Sequence, residues 1–241
     1  VTGSVAVNTP IATAPNVTIS ANPSSTHAIS PWIYGINFYQ SVTGAPRHLT
    51  MNRQGGNRWT AYNWENNASN AGSDWYYHND AYLSSSTTPG EALRPLIVAD
   101  RARGNGSMIT VQLQGYVAAD EKGDDVTAVT PLATRLATRF KQVVNKKGSA
   151  FTQTPSTTDA YVYMDEFLWA LGQKISTGMY SDPSTPTFLL LDNEPEIWSS
   201  THAEIQPSII SVTDYIQKTI DLCKAIKDFW PTSTILGPVH Y

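Results

Sequence analysis

Apolar residues fall along this chain in two kinds of run. Short ones at Trp32–Phe38, Leu49–Arg53, Ser107–Gln114, Thr187–Leu191 and from Ser233 onward read as strands, bounded by Gly, Pro and Asn. Helical spacing fills most of the gaps. Residues 89–104 place Leu93, Ile97 and Val98 on one side, with Pro95 marking a break or a start. Thr130 as cap, Pro131 at the first turn, and Leu132, Leu136, Phe140 and Val143 on one face predict a helix that ends at Lys146-Lys147-Gly148. Asp159–Leu171 predicts another. Thr213–Trp230, with Ile216, Ile220, Cys223, Ile226 and Trp230 in register before Pro231, predicts a third. Residues 1–16 read as a linker or edge segment, and Asn16–Ala21 alternates like a half-buried strand.

Strands alternating with helices predict βα units and a parallel sheet. Two α/β architectures fit: an open doubly wound sheet, or the first five strands of an eight-stranded barrel. No glycine fingerprint for a dinucleotide follows any strand, which weakens the first. Polar clusters stand where strands end, at Asn37, Gly56-Asn57, Gln112 and Gln114, Asn193-Glu194 and His240. Barrels place their sites at those ends, which favours the second.

Composition narrows the function by exclusion. A net charge of −4 and the lack of any basic run argue against a nucleic-acid partner. No apolar stretch is long enough for a membrane span. The single cysteine, Cys223, falls at an apolar helical position and reads as a buried thiol. Seven Trp and twelve Tyr suit a cleft for flat polar rings, although about half of such residues serve a core. The Val-Thr-Gly-Ser start fits a mature secreted product. Asn16, Asn67 and Asn105 stand in glycosylation triplets that matter only in a eukaryotic secretory route.

The stretch TFLLLDNEPEIWSSTH, residues 187–202, carries the chemistry. Glu194 stands just past a buried strand, where partial burial can make a carboxyl a proton donor, and Asn193 beside it can hold a sugar hydroxyl. The competing reading is that Asp192 or Asn193 merely caps the next turn. Glycoside hydrolysis also needs a second carboxylate, about 5–5.5 Å away for retention or roughly 6.5–9.5 Å for inversion. The loop from Gly55 to Asp80 is long, polar and rich in Asn and aromatics, which predicts a functional loop.

GGN followed by YNWENNASNAGSDWYY, together with LDNEPEIWSSTHAEIQP, resembles the family 44 glycoside hydrolases, secreted bacterial endo-β-1,4-glucanases that include xyloglucan-cleaving members. ISPWIYGINF and GYVAADEKG are similar to that family as well, so the likeness runs in order from about residue 17 to 241. It implies a retaining enzyme with a (β/α)8 TIM barrel, of which residues 31–241 supply about the first five units. It also implies a small β-sandwich to which residues 17–30 add a strand. Glu194 matches the acid/base residue and Asn193 the preceding amide. Asn57, Trp64, Asn66, Trp198, His202 and His240 become candidates to shape the substrate cleft, with His202 equally readable as a loop histidine. Glu65 and Asp74 are weak candidates for a structural calcium; the chemistry itself needs no cofactor. The family's nucleophile belongs to a later strand than this chain reaches, so the resemblance implies that the rest of the barrel and the nucleophile lie beyond residue 241. The alternatives are a non-catalytic glycan-binding protein or inactive fragment with the same aromatic cleft, or a related barrel xylanase or mannanase.

Overall fold

The computed structural model describes residues 20, 22, 24, 26–37 and 49–241. The linker expected at 1–16, residues 17–19, 21, 23 and 25 of the strand segment expected at 17–30, and Phe38 lie outside them. The described part of that N-terminal stretch, through Ser30, has no regular element.

After a 3-10 turn at Pro31–Ile33 come β1 (Gly35–Asn37) and β2 (Met51–Gln54), then α1 (Asn57–Thr60), β3 (Ser69–Asn70) and β4 (His78–Asp80). Next are α2 (Arg94–Ala102), β5 (Gly106–Val111), β6 (Tyr116–Ala118), β7 (Asp124–Asp125), α3 (Leu132–Arg139) and β8 (Phe140–Val144). The chain continues through β9 (Tyr161–Tyr163), α4 (Met164–Ile175), β10 (Thr187–Leu191), α5 (Trp198–Thr201), α6 (Val212–Phe229) and β11 (Ile235–Leu236). No described helix is long and apolar enough to cross a membrane.

The main sheet runs β1-β2-β5-β10-β11, and every pairing in it is parallel. Strand order thus follows chain order without the reversal that defines a doubly wound sheet. α2, α4 and α6 occupy the successive crossovers and touch in series, α2 on α4 and α4 on α6.

Register decides what each face does, because successive strand residues point to opposite sides. Ile109 pairs with Leu189 and Val111 with Leu191, and all four enter one core with Leu93, Ile97, Phe167, Leu168, Leu222 and Ile226. Two polar residues on that face share one partner. Asn52 and the Ser107 hydroxyl both donate to the buried carboxylate of Asp100 on α2. The other face carries Arg53, Met108 and Phe188, all half-buried. Core aromatics meet at defined angles: Phe167 lies nearly flat on Trp64 at 5.8 Å and edge-on to Tyr62 at 6.3 Å.

Three expectations need correction. The helix predicted through Gly148 stops at Arg139. Phe140–Val144 instead forms β8, antiparallel to β6 and parallel to β9. Strand partners on both sides, with Phe140 buried against Ala61, Val126 and Ile205, override helical spacing at that point. The helix predicted from Asp159 is preceded by β9, and α4 begins at Met164 with Asp165 and Glu166 in its first turn, favourable at a helix N-terminus. On α6 the stripe is rotated. Leu222, Ala225 and Ile226 are buried, while Ile216 and Ile220 are 50% and 39% exposed.

The Asn-rich loop also behaves differently from the expected functional loop, because its amides take the place of secondary structure. Asn63 Nδ2 donates to Ala118 O (2.8 Å), Asn67 Nδ2 to Ser86 O and Thr88 O, Asn70 Nδ2 to Tyr77 O, and Asn79 Nδ2 to Arg139 O. These four residues are completely buried. Side-chain amides thus tie the loop to backbone carbonyls of the segments around it.

Candidate active site

β10 delivers a buried strand to a turn in which two residues adopt left-handed backbone, Asp192 at φ 66° and Glu194 at φ 45°. Asp192 is fully buried, and its carboxylate accepts hydrogen bonds from the backbone N–H of Leu113 (2.7 Å), Gln114 (2.9 Å) and Asn193 (2.9 Å). Burial pushes its carboxyl above the ordinary range, and those N–H groups pull it back only in part. Glu194 is half-buried. Its N–H donates to Val239 O (2.7 Å), which carries the sheet past β11, and Asn193 Nδ2 donates to its carboxylate at 3.0 Å.

Arg53, on the less buried face of β2, reaches past β5 to this turn at the end of β10. Its guanidinium donates to Asn193 Oδ1 (2.7 Å) and to Asn37 Oδ1 (3.2 Å). Burial lowers its pKa, while the charge on Glu194 works the other way. Asn193 is therefore oriented from both sides, Oδ1 toward Arg53 and Nδ2 toward Glu194. A Cβ at Gly55 would stand 2.5 Å from the Arg53 guanidinium carbon. Gly55→Ala should push Arg53 off Asn193 and lower kcat about tenfold or more with the melting temperature nearly unchanged. Full activity in that variant would show that Arg53 does not orient the turn.

Behind the turn, Trp198 is buried and its Nε1–H donates to Asn193 O at 2.8 Å. His202 is buried as well, with Nε2 2.9 Å from Asn57 O and Nδ1 2.6 Å from Glu204. Both ring nitrogens thus face acceptors. Burial, the largest influence, disfavours the imidazolium, but Glu204, Asn57 O and Asp192 together raise its pKa. His202 so fastens α5 to the start of α1. Gly72 seats the Asn-rich loop on the same helix, since a Cβ there would meet Thr201 O at 2.2 Å.

The residues predicted from sequence divide accordingly. Asn193 and Glu194 sit together at the turn. Trp198 and His202 stand behind it, and Asn57 is tied there through His202 and by its own amide to Ala71 O. Trp198 and His202 are buried and offer no free face, whereas Asn57 is half-buried. Trp64 is 1% exposed inside the core, and Asn66 spends both ends of its amide on Ala119 O and Ala68 N–H. His240 is 66% exposed and lies 3.3 Å from Glu196. The calcium candidates are not together: Glu65 is buried against the Lys141 ammonium, whereas Asp74 is exposed. Among the described residues no His, Cys, Asp or Glu group is arranged to hold a metal. Sequence reasoning missed Arg53, although an arginine alternating with buried neighbours just before Gly55-Gly56 was the available signal.

Comparison with known proteins gives a consistent set of likenesses. Residues 68–241 match the family model described as glycoside hydrolase family 44. A β-mannanase/endoglucanase A of Caldicellulosiruptor saccharolyticus is 38% identical over 93% of the chain, and an endoglucanase A of Paenibacillus lautus 36% over 95%. The chain spans only 17% and 33% of those two proteins. A solved family 44 xyloglucanase of Paenibacillus polymyxa, bound to xyloglucan, superposes with a TM-score of 0.78 at 36% identity, over 88% of this chain and 42% of its own.

Proposed function

Because the chain belongs to glycoside hydrolase family 44, we propose that it supplies the acid/base half of an endo-acting β-1,4-glucan hydrolase, with xyloglucan among its substrates. The observation that carries this reading is the Glu194 carboxyl, half-buried, bonded to Asn193 and fixed at the end of a core strand. The xyloglucan in the solved relative supports the substrate class. The strand order without reversal supports a (β/α)8 barrel of which this sheet is the first part, with residues 17–30 contributing to an adjoining sandwich. Secretion suits a polysaccharide too large to enter a cell.

The reaction follows the retaining scheme. Glu194 gives its proton to the glycosidic oxygen, and the C1–O bond breaks with its electron pair leaving on the departing sugar. A second carboxylate bonds to C1 and holds the remaining glycan as an ester. Glu194, now a carboxylate, takes a proton from water, whose oxygen bonds to C1 as the ester bond breaks. The carboxylates on either side of Glu194 are committed elsewhere, Asp192 to three backbone N–H groups and Glu196 to the Tyr241 N–H and His240. The resemblance to family 44, which implies a nucleophile on a later strand, supports assigning it to chain outside these residues.

The test is proton NMR of the first product released from xyloglucan, carboxymethylcellulose and mannan by the full-length protein. The β-anomer should appear first, from the glucans. An α-anomer first, or no cleavage of either glucan, rejects the reading.

A further inference from the structure

The backbone around Glu194 is unusual before any chemistry is considered. Asp192 and Glu194 flank Asn193 in left-handed conformations that an ordinary residue rarely adopts, and such conformations persist only where the surroundings over-determine them. Trp198 Nε1–H and the Val239 carbonyl hold the turn from two sides. The third hold is a side chain. One oxygen of Asp192 accepts from Leu113 and Gln114, just past the end of β5, and the other from Asn193 within the turn itself. A single carboxylate thus joins neighbouring strand ends at the point where β10 gives way to Glu194. It is fully buried, so it touches no ligand and has no chemistry of its own to perform.

We propose that Asp192 is the positioning residue for Glu194: its carboxylate locks the 192–194 turn to the end of β5 and so fixes the direction in which Glu194 presents its proton. The same strand end is held from α6 as well, where Lys218 Nζ donates to Gln114 O at 3.0 Å. A carboxyl misdirected by about 1 Å loses on the order of a hundredfold in rate while the cleft that binds glycan is untouched. This inference rests on the acid/base role of Glu194 and adds the device that aims it.

A defect in proton donation is visible through the leaving group. A cello-oligosaccharide cannot expel its sugar without a proton, whereas 2,4-dinitrophenyl β-cellobioside expels its phenolate unaided. In the full-length protein, Asp192→Asn replaces one acceptor oxygen by an NH2 that cannot face N–H groups. It should lower kcat/KM on cellohexaose about a hundredfold and cost less than about fivefold in kcat/KM on the aryl substrate, a ratio that reports only the bond-breaking step and not the later base-assisted attack of water. Asp192→Glu is the second variant, keeping the charge but displacing the oxygens, and should show the same preference between substrates even if Asp192→Asn does not fold. Equal losses on both substrates in whichever variant folds, or no loss, overturn the proposal. Glu194→Gln run in parallel separates the two readings. If that variant discriminates between the substrates and the Asp192 variants do not, this inference alone fails. If Glu194→Gln does not discriminate, the acid/base assignment fails first.

Discussion

Glu194→Gln in the full-length protein is expected to lower kcat on xyloglucan by about a thousandfold, within the 10²–10⁴ range of general acid/base catalysis. The substitution is close to isosteric, and the glutamine carbonyl can still accept from Asn193 Nδ2, so the turn keeps its main local bond. Backbone anchoring is also unaffected, since the Glu194 N–H to Val239 and the Asp192 ties do not involve the side chain at 194. What disappears is the exchangeable proton on the reacting face. KM for xyloglucan should therefore stay within about threefold, because the lost interaction belongs to the transition state. Steady-state kinetics on purified variants gives both constants. A loss smaller than tenfold would place the acid elsewhere.

Lys141→Met should destabilise the fold by about 3–5 kcal/mol at pH 8, the usual consequence of leaving a buried charge without its partner. The Lys141 ammonium touches the Glu65 carboxylate, donates to Ser156 O at 2.8 Å, and pairs with Asp159 at 2.8 Å. Lys141 and Glu65 are 3% and 2% exposed. Burial pushes Glu65 up to about 7 even though Lys141 pulls the other way, and removing Lys141 raises it further. A carboxyl whose folded pKa exceeds its unfolded one contributes stability below the unfolded value, and that contribution is lost as pH rises through the folded value. The gap between variant and parent should accordingly shrink by half or more at pH 5, where Glu65 takes up a proton. Urea melts at pH 5 and pH 8 measure it. A gap equal at both would mean that lost packing, and not the orphaned charge, sets the cost.

The main sheet was legible because its strands are short apolar runs buried by their neighbours, as with Leu189–Leu191. The end of α3 was not, because Phe140 and Val143 satisfy helical spacing while their partners, Ala118, Gly115 and Val162, lie elsewhere in the chain. The Asn-rich loop read as ligand chemistry because an amide that bonds a sugar hydroxyl and one that bonds a carbonyl look the same in one dimension. Glu194 and Asn193 stood out through their place after a strand. Arg53 and Asp192 depend on contacts across 140 and 79 positions of sequence, which no local pattern encodes.

The pair of left-handed residues also shapes what substitution can explore here. At positions 192 and 194 a β-branched side chain clashes with its own backbone, so Val, Ile and Thr would vanish from a selected library whatever their chemistry. Survivors should be small or flexible residues, with glycine relieving the backbone at no steric cost. Glycine at 192 therefore isolates the carboxylate from the conformation: it keeps the turn permitted while removing the staple. Intolerance at these two sites should be read as two superposed filters, one geometric and one chemical.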